Sequence, residues 1–106
     1  MSDADEVEAF FDALPSRFRP EAAAGLTATF AVDIDGAGSW YATVDDGALT
    51  IVKGTHPSPN VRISCSAKNW LRLIAGDLDP QFAFMTRKLK VAGDMGLAMR
   101  FRALFL

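Results

Sequence analysis

An α+β fold, with a mainly antiparallel sheet and helices on one face, is what this sequence predicts, and three observations predict it. Apolar residues recur at helical spacing toward both ends of the chain. They alternate with polar residues through the middle, and tight turns join the first alternating segments, which makes them an antiparallel meander. A length of 106 residues with no internal repeat or linker argues for one domain, residues 1–106.

The elements follow in order. Val7, Phe10, Phe11 and Leu14 fall at i, i+3, i+4 and i+7, one apolar stripe on a helix that Ser2 or Asp3 caps and Pro15 follows. "RPEAAAG" reads as a short helical turn, with Pro20 near its start and Gly25 at its stop. In "LTATFAVDID", Leu26, Ala28, Phe30, Val32 and Ile34 share one face of a strand. "DGAG" turns the chain into "SWYATV", which places Trp40, Ala42 and Val44 together, and "DDG" is a strong hairpin signal before "ALTIVKG". Pro57 and Pro59 stiffen the next loop, and "VRISCS" points Val61, Ile63 and Cys65 inward. Helical period then returns: Ser66 caps a helix carrying Trp70, Leu73 and Ile74, which Gly76 ends. Asp79 and Pro80 start another, "KLKVAG" is a short strand, and Asp94 caps a last helix that is apolar almost all round.

Half the residues are hydrophobic, about a quarter are charged and the net charge is −2, a globular mix without the basic stripe of a nucleic-acid binder or the polybasic run that seeks anionic membranes. Cys65 is the only cysteine, so no internal disulfide forms. No apolar run has the length of a membrane span, and the acidic start "MSDADEVEAF" is unlike a leader peptide. A cytoplasmic protein is expected.

Residues that carry chemistry are sparse. His56, the only histidine, sits in a proline-rich loop with no Cys or second His near it in sequence, which argues against zinc and against a Ser–His–acid triad. Cys65 alternates with serines and reads as a packing residue. "GDMG" lacks the length and the Lys-Ser/Thr ending of a phosphate loop, and Asp33, Asp35, Asp45 and Asp46 sit at hairpin ends as turn residues. No catalytic residue, metal site or cofactor is expected. The positive signal is an apolar surplus: Phe82, Phe84, Met85, Met95, Met99, Phe101 and Phe105 crowd the last quarter of the chain. Such stripes form ordinary cores. Methionine also repacks around ligands of varied shape, so residue pattern alone leaves core and ligand cavity both open.

Three pieces standing in order, "FAVDIDGAGSWYATVDDGALTIVKG", "PNVRISCSAKNWLRLIAGDLDPQFAFM" and "KLKVAGDMGLAMRF", resemble the sterol carrier protein type 2 domain family over roughly residues 5 to 105. The resemblance implies a five-stranded sheet covered by helices, with an apolar tunnel between them, and non-catalytic binding of fatty acids, fatty acyl-CoA, sterols or other lipids. It implies one tunnel wall from Phe82, Phe84, Met85, Met95, Met99, Phe101 and Phe105, and the opposite wall from Phe30, Trp40, Val44, Ile51 and Ile63. Arg87, Lys88, Arg100 and Arg102 are then candidates for an acidic headgroup at the rim. The alternative function is an accessory protein that presents a lipid-like intermediate, such as a quinone precursor, to enzymes. Transient membrane contact, a homodimer and an enzyme partner stay open. The family often has Gly where this chain has Arg87, so strain or a different helix exit is expected there.

Overall fold

The computed structural model describes residues 2–106. Five strands, β1 (Thr27–Asp35), β2 (Gly38–Asp45), β3 (Ala48–Lys53), β4 (Val61–Ser66) and β5 (Leu89–Gly93), form one sheet in the order β3-β2-β1-β4-β5. The meander β1-β2-β3 is antiparallel, β4 runs parallel to β1 on its other side, and β5 pairs antiparallel with β4. The β2–β3 turn needs left-handed backbone at both central residues: Asp46 has φ 45° and Gly47 φ 91°, as the "DDG" signal requires.

Register places the alternating apolar sets together. Phe30 lies opposite Ala42 and Val61, and Val32 opposite Trp40 and Ile63. These residues point to the one face that the helices cover, while Asp33, Tyr41, Arg62 and Ser64 occupy the other. On that polar face Arg62 Nη1 donates to Asp33 Oδ2 at 2.8 Å across the parallel pair.

Helix α1 (Asp3–Asp12) starts with a capping box, in which the Asp5 amide donates to Ser2 Oγ at 3.2 Å. It stops earlier than the apolar stripe suggests. Pro15 lies in the first turn of a separate short helix, α2 (Leu14–Arg17), where its missing N–H costs no hydrogen bond. A 3₁₀ turn (Pro20–Ala23) leads into β1. After the sheet come α3 (Ala67–Ala75), α4 (Pro80–Met85) and α5 (Met95–Phe105), capped by Ser66, Asp79 and Asp94 as read from the sequence. The C-terminal end of α5 is held by Arg19: its Nη1 donates to the Ala103 carbonyl at 3.0 Å and its Nη2 to the Leu106 carbonyl at 3.3 Å.

Helices α3 and α4 end in the same motif with different residues. After α3, the Asp77 amide donates to the Arg72 carbonyl at 2.9 Å and the Gly76 amide to Leu73 at 3.2 Å, with Gly76 at φ 83°. After α4, the Lys88 amide donates to Ala83 at 2.8 Å and the Arg87 amide to Phe84 at 3.2 Å, and the left-handed residue is Arg87 at φ 63°. Both are Schellman closures, which favour glycine at this place. Arg87 therefore carries the strain its position implied, about 1–2 kcal/mol for an L-residue, against which glycine would lose more unfolded-state entropy. Arg87→Gly is expected to stabilise the fold by about 1 kcal/mol in urea unfolding. A variant no more stable than wild type would show that Arg87 makes compensating contacts.

Between sheet and helices the core is aromatic. Phe11 of α1 stacks on Trp40 (ring centroids 4.4 Å apart, 10° between planes) and on Trp70 of α3 (5.7 Å, 12°). Phe101 and Phe105 of α5 pack against each other at 4.8 Å and edge-on to Phe30 at 6.0 and 6.3 Å. Trp70 and Phe101, 5.8 Å apart, join the two groups. These rings occupy much of the space in which an open tunnel is expected.

Candidate functional site

One apolar cavity opens beneath α5. Its floor is Ile63 of β4 and Leu89 of β5, both on the inward face of the sheet. One wall is Trp70, Leu73 and Ile74, the i, i+3, i+4 face of α3. The opposite wall is Ala98, Phe101 and Arg102 with Leu106, and Pro80 at the start of α4 closes one side. Its volume is about 70 Å³, whereas pockets that enclose small molecules run to about 300–1,000 Å³. The open tunnel expected from the resemblance is not seen here: Phe101, Trp70 and their aromatic neighbours fill the space and leave only this narrow seat.

Two residues of the lining, Arg102 and Trp70, carry polar groups. The Arg102 guanidinium belongs to neither of the ion pairs found among the described residues, Lys53–Glu8 and Arg62–Asp33. Trp70 is 4% exposed, and its Nε1–H is the one buried side-chain donor among the described residues with no hydrogen-bond partner. Leaving such a donor unmet costs about 1–3 kcal/mol.

The residues singled out by sequence separate into three groups. Ile63 and Phe101 line the cavity. Phe30, Trp40, Val44 and Phe105 are buried in the surrounding core, and Ile51 is half-buried against it. Phe82, Phe84, Met85, Met95 and Met99 stand out to solvent, with Met85 at 75% and Met99 at 79% exposed. The rest of the cavity lining was legible only as secondary structure: Trp70, Leu73 and Ile74 as a helix face, Leu89 as an inward strand position. Nothing in the sequence marks Ala98, whose small side chain leaves the space. Of the four candidate rim cations, Arg102 borders the cavity, while Arg100 Nη2 donates to the Ala22 carbonyl at 3.1 Å. Arg87 and Lys88 face a different, polar concavity.

The sequence profile of the SCP-2 sterol transfer family matches residues 8–106. The chain belongs to this family. Rat sterol carrier protein 2 is 34% identical over 66 residues, which are 62% of this chain and 12% of the rat protein. Among solved structures, the sec-alkylsulfatase Pisa1 from a Pseudomonas species superposes with a TM-score of 0.81 at 24% identity, over 91% of this chain and 16% of the sulfatase. Palmitated SCP2L2 from Aedes aegypti superposes with a TM-score of 0.71 at 19% identity, over 92% of this chain and 87% of that protein. The SCP-2 chain described here therefore spans about an eighth of its rat relative, and its fold recurs as a small part of a larger enzyme.

The larger concavity of this SCP-2 domain, about 720 Å³, lies where β1 and β4 end and α3 begins. Asp33, Asp35, Lys88, Lys90 and the hydroxyls of Ser39, Ser64 and Ser66 border it. It is open, and burying an acyl chain there would strip water from charges without replacing it. Cys65, also at its edge, is 9% exposed, and burial pushes its thiol up to about 12. At neutral pH it is a neutral packing group and a poor nucleophile. An exposed thiol ionises near 9.0, so the unfolded chain releases this proton before the folded one does. Stability is expected to fall as pH rises from 9 toward 12. Urea unfolding should lose stability less steeply over pH 9–11 in Cys65→Ala than in wild type; equal slopes would contradict the buried, neutral thiol.

No helix among the described residues is long and apolar enough to cross a membrane, and no cluster of metal-ligating side chains occurs among them.

Proposed function

We propose that this SCP-2 domain binds and carries the apolar part of a lipid, without catalysis, in an enlarged form of the cavity between α5, α3 and the sheet. The observation that carries this reading is the apolar seat beneath α5, walled on three sides and bordered by Arg102. The palmitate held by the Aedes relative of the same fold supports it. Each methylene transferred from water contributes about 0.8 kcal/mol, so a ten-carbon stretch grosses about 8 kcal/mol before ordering costs. Uncorrected for those costs, that gain corresponds to micromolar affinity, which is the upper bound for a ten-carbon stretch. A cavity of about 70 Å³ is too small for such a chain, so α5 moves outward when ligand enters. Arg102 then meets an acidic headgroup at the rim.

Phe82 and Met85 on α4 and Met99 on α5 are exposed apolar side chains, as fits a protein that hands its ligand to a membrane or to another protein. Native mass spectrometry of protein purified from cells, then of delipidated protein mixed with palmitate, tests the reading. A saturable one-to-one palmitate adduct is expected. Protein that stays unliganded across a mixed lipid extract would reject it.

A further inference from the structure

The lipid-binding reading explains the apolar walls but not Trp70. Native interiors seldom leave a buried donor without an acceptor, and an unmet one calls for an explanation. Trp70 lines the cavity, is almost wholly buried, and its Nε1 has no partner among the described residues. An ordered water would be a poor solution. It needs two to four polar partners, and apart from Trp70 the only polar side chain on the lining is that of Arg102. An oxygen carried in on an apolar ligand needs one donor only.

We infer that Trp70 Nε1 donates a hydrogen bond to an oxygen of the bound lipid, so that this site selects oxygen-bearing apolar molecules over plain hydrocarbons. The inference rests on the lipid-binding reading and deepens it. In the closed form the Nε1 atom is shut off from solvent. Phe101 of α5 lies 5.8 Å from Trp70 ring to ring, and the inference requires that the outward movement of α5 which admits a ligand also uncovers the Nε1 edge. A hydroxyl, a ketone or quinone carbonyl, and a carboxyl oxygen share the required chemistry. Indole is a donor only, so a ligand group that can only donate gains nothing here. Trp70 keeps its orientation because it stacks on Phe11 and meets Phe10 edge-on at 5.8 Å.

The test uses delipidated full-length protein with two matched probes, 1-dodecanol and dodecane. In ¹H–¹⁵N spectra the Trp70 indole proton is expected to move downfield on adding dodecanol but not on adding dodecane, with the Trp40 indole as internal control. Trp70→Phe, and Trp70→3-benzothienylalanine, which keeps the shape without the N–H, should weaken dodecanol binding roughly threefold to tenfold, the effect of one neutral hydrogen bond. Dodecane affinity should change less than twofold. Dodecanol binding that leaves the Trp70 resonance in place overturns the inference alone, as does an equal loss for both probes in a folded variant. An indole proton already downfield before any probe, and unmoved by it, shows a water or protein acceptor and overturns it too. Failure of wild type to bind either probe removes the lipid-binding reading, and this inference with it.

Discussion

Ala98→Phe is expected to weaken palmitate binding at least tenfold while leaving the protein folded. Ala98 stands on the α5 wall of the apolar cavity, half-buried, between Trp70 and Ile74 on one side and the sheet on the other. A phenyl ring there occupies the whole of a space of about 70 Å³. Excluding even two or three methylenes of the acyl chain removes about 2 kcal/mol of transfer free energy, more than the 1.4 kcal/mol that makes a factor of ten. The fold itself tolerates the change. Helix propensity costs roughly half a kcal/mol at this place, and overpacking about 1–3 kcal/mol if the ring does not fit. Palmitate titration followed by NMR, with the same spectra reporting the fold, separates the two effects. A folded Ala98→Phe protein that binds palmitate as wild type does would move the site away from α5.

The largest loss of stability is expected from Phe11→Ala. Phe11 is 1% exposed and stacks on both tryptophans, Trp40 of the sheet and Trp70 of α3. Its ring is the link between α1, α3 and the sheet. Truncating a buried phenylalanine costs about 3–5 kcal/mol, through lost transfer energy and the void left behind. A domain of this size is stable by about 5–15 kcal/mol in total, so the urea midpoint should fall by roughly a fifth or more. Trp40 and Trp70 should also lose their buried fluorescence early in the transition. A loss under 1 kcal/mol would mean that the helical layer closes over the missing ring.

The strands were legible in the sequence because each carries a clean alternation and each hairpin its own turn chemistry. Leu26 to Ile34, Trp40 to Val44 and Val61 to Cys65 put their apolar sets on the helix-covered face, and Asp46 with Gly47 makes the turn that "DDG" announces. The caps Ser66, Asp79 and Asp94 were legible for the same local reason. What local pattern does not encode is the parallel pairing of β4 with β1, since a seven-residue link, 54–60, could return the chain to either edge of the meander. The cavity was least legible of all. Hydrophobicity drew attention to large side chains, Phe84, Met85, Met95 and Met99, yet a cavity is made where side chains are small or kept apart. Those four lie exposed. Ala98 and Trp70, which shape the seat, carry no pattern that distinguishes them from ordinary core. Arg87 was the reverse case: a missing glycine in a familiar context pointed to a strained helix end, and φ 63° is found there.

The central claim is that an acyl chain lies between α5, α3 and the sheet. Intermolecular nuclear Overhauser effects between ¹³C-labelled palmitate and the methyl groups of delipidated protein test it most directly. Contacts from the palmitate methylenes to Ile63, Leu73 and Ala98 are the predicted result. Saturable palmitate binding with no contact to these three methyl groups, or with contacts only beside Ser39 and Lys90 in the polar concavity, would contradict it.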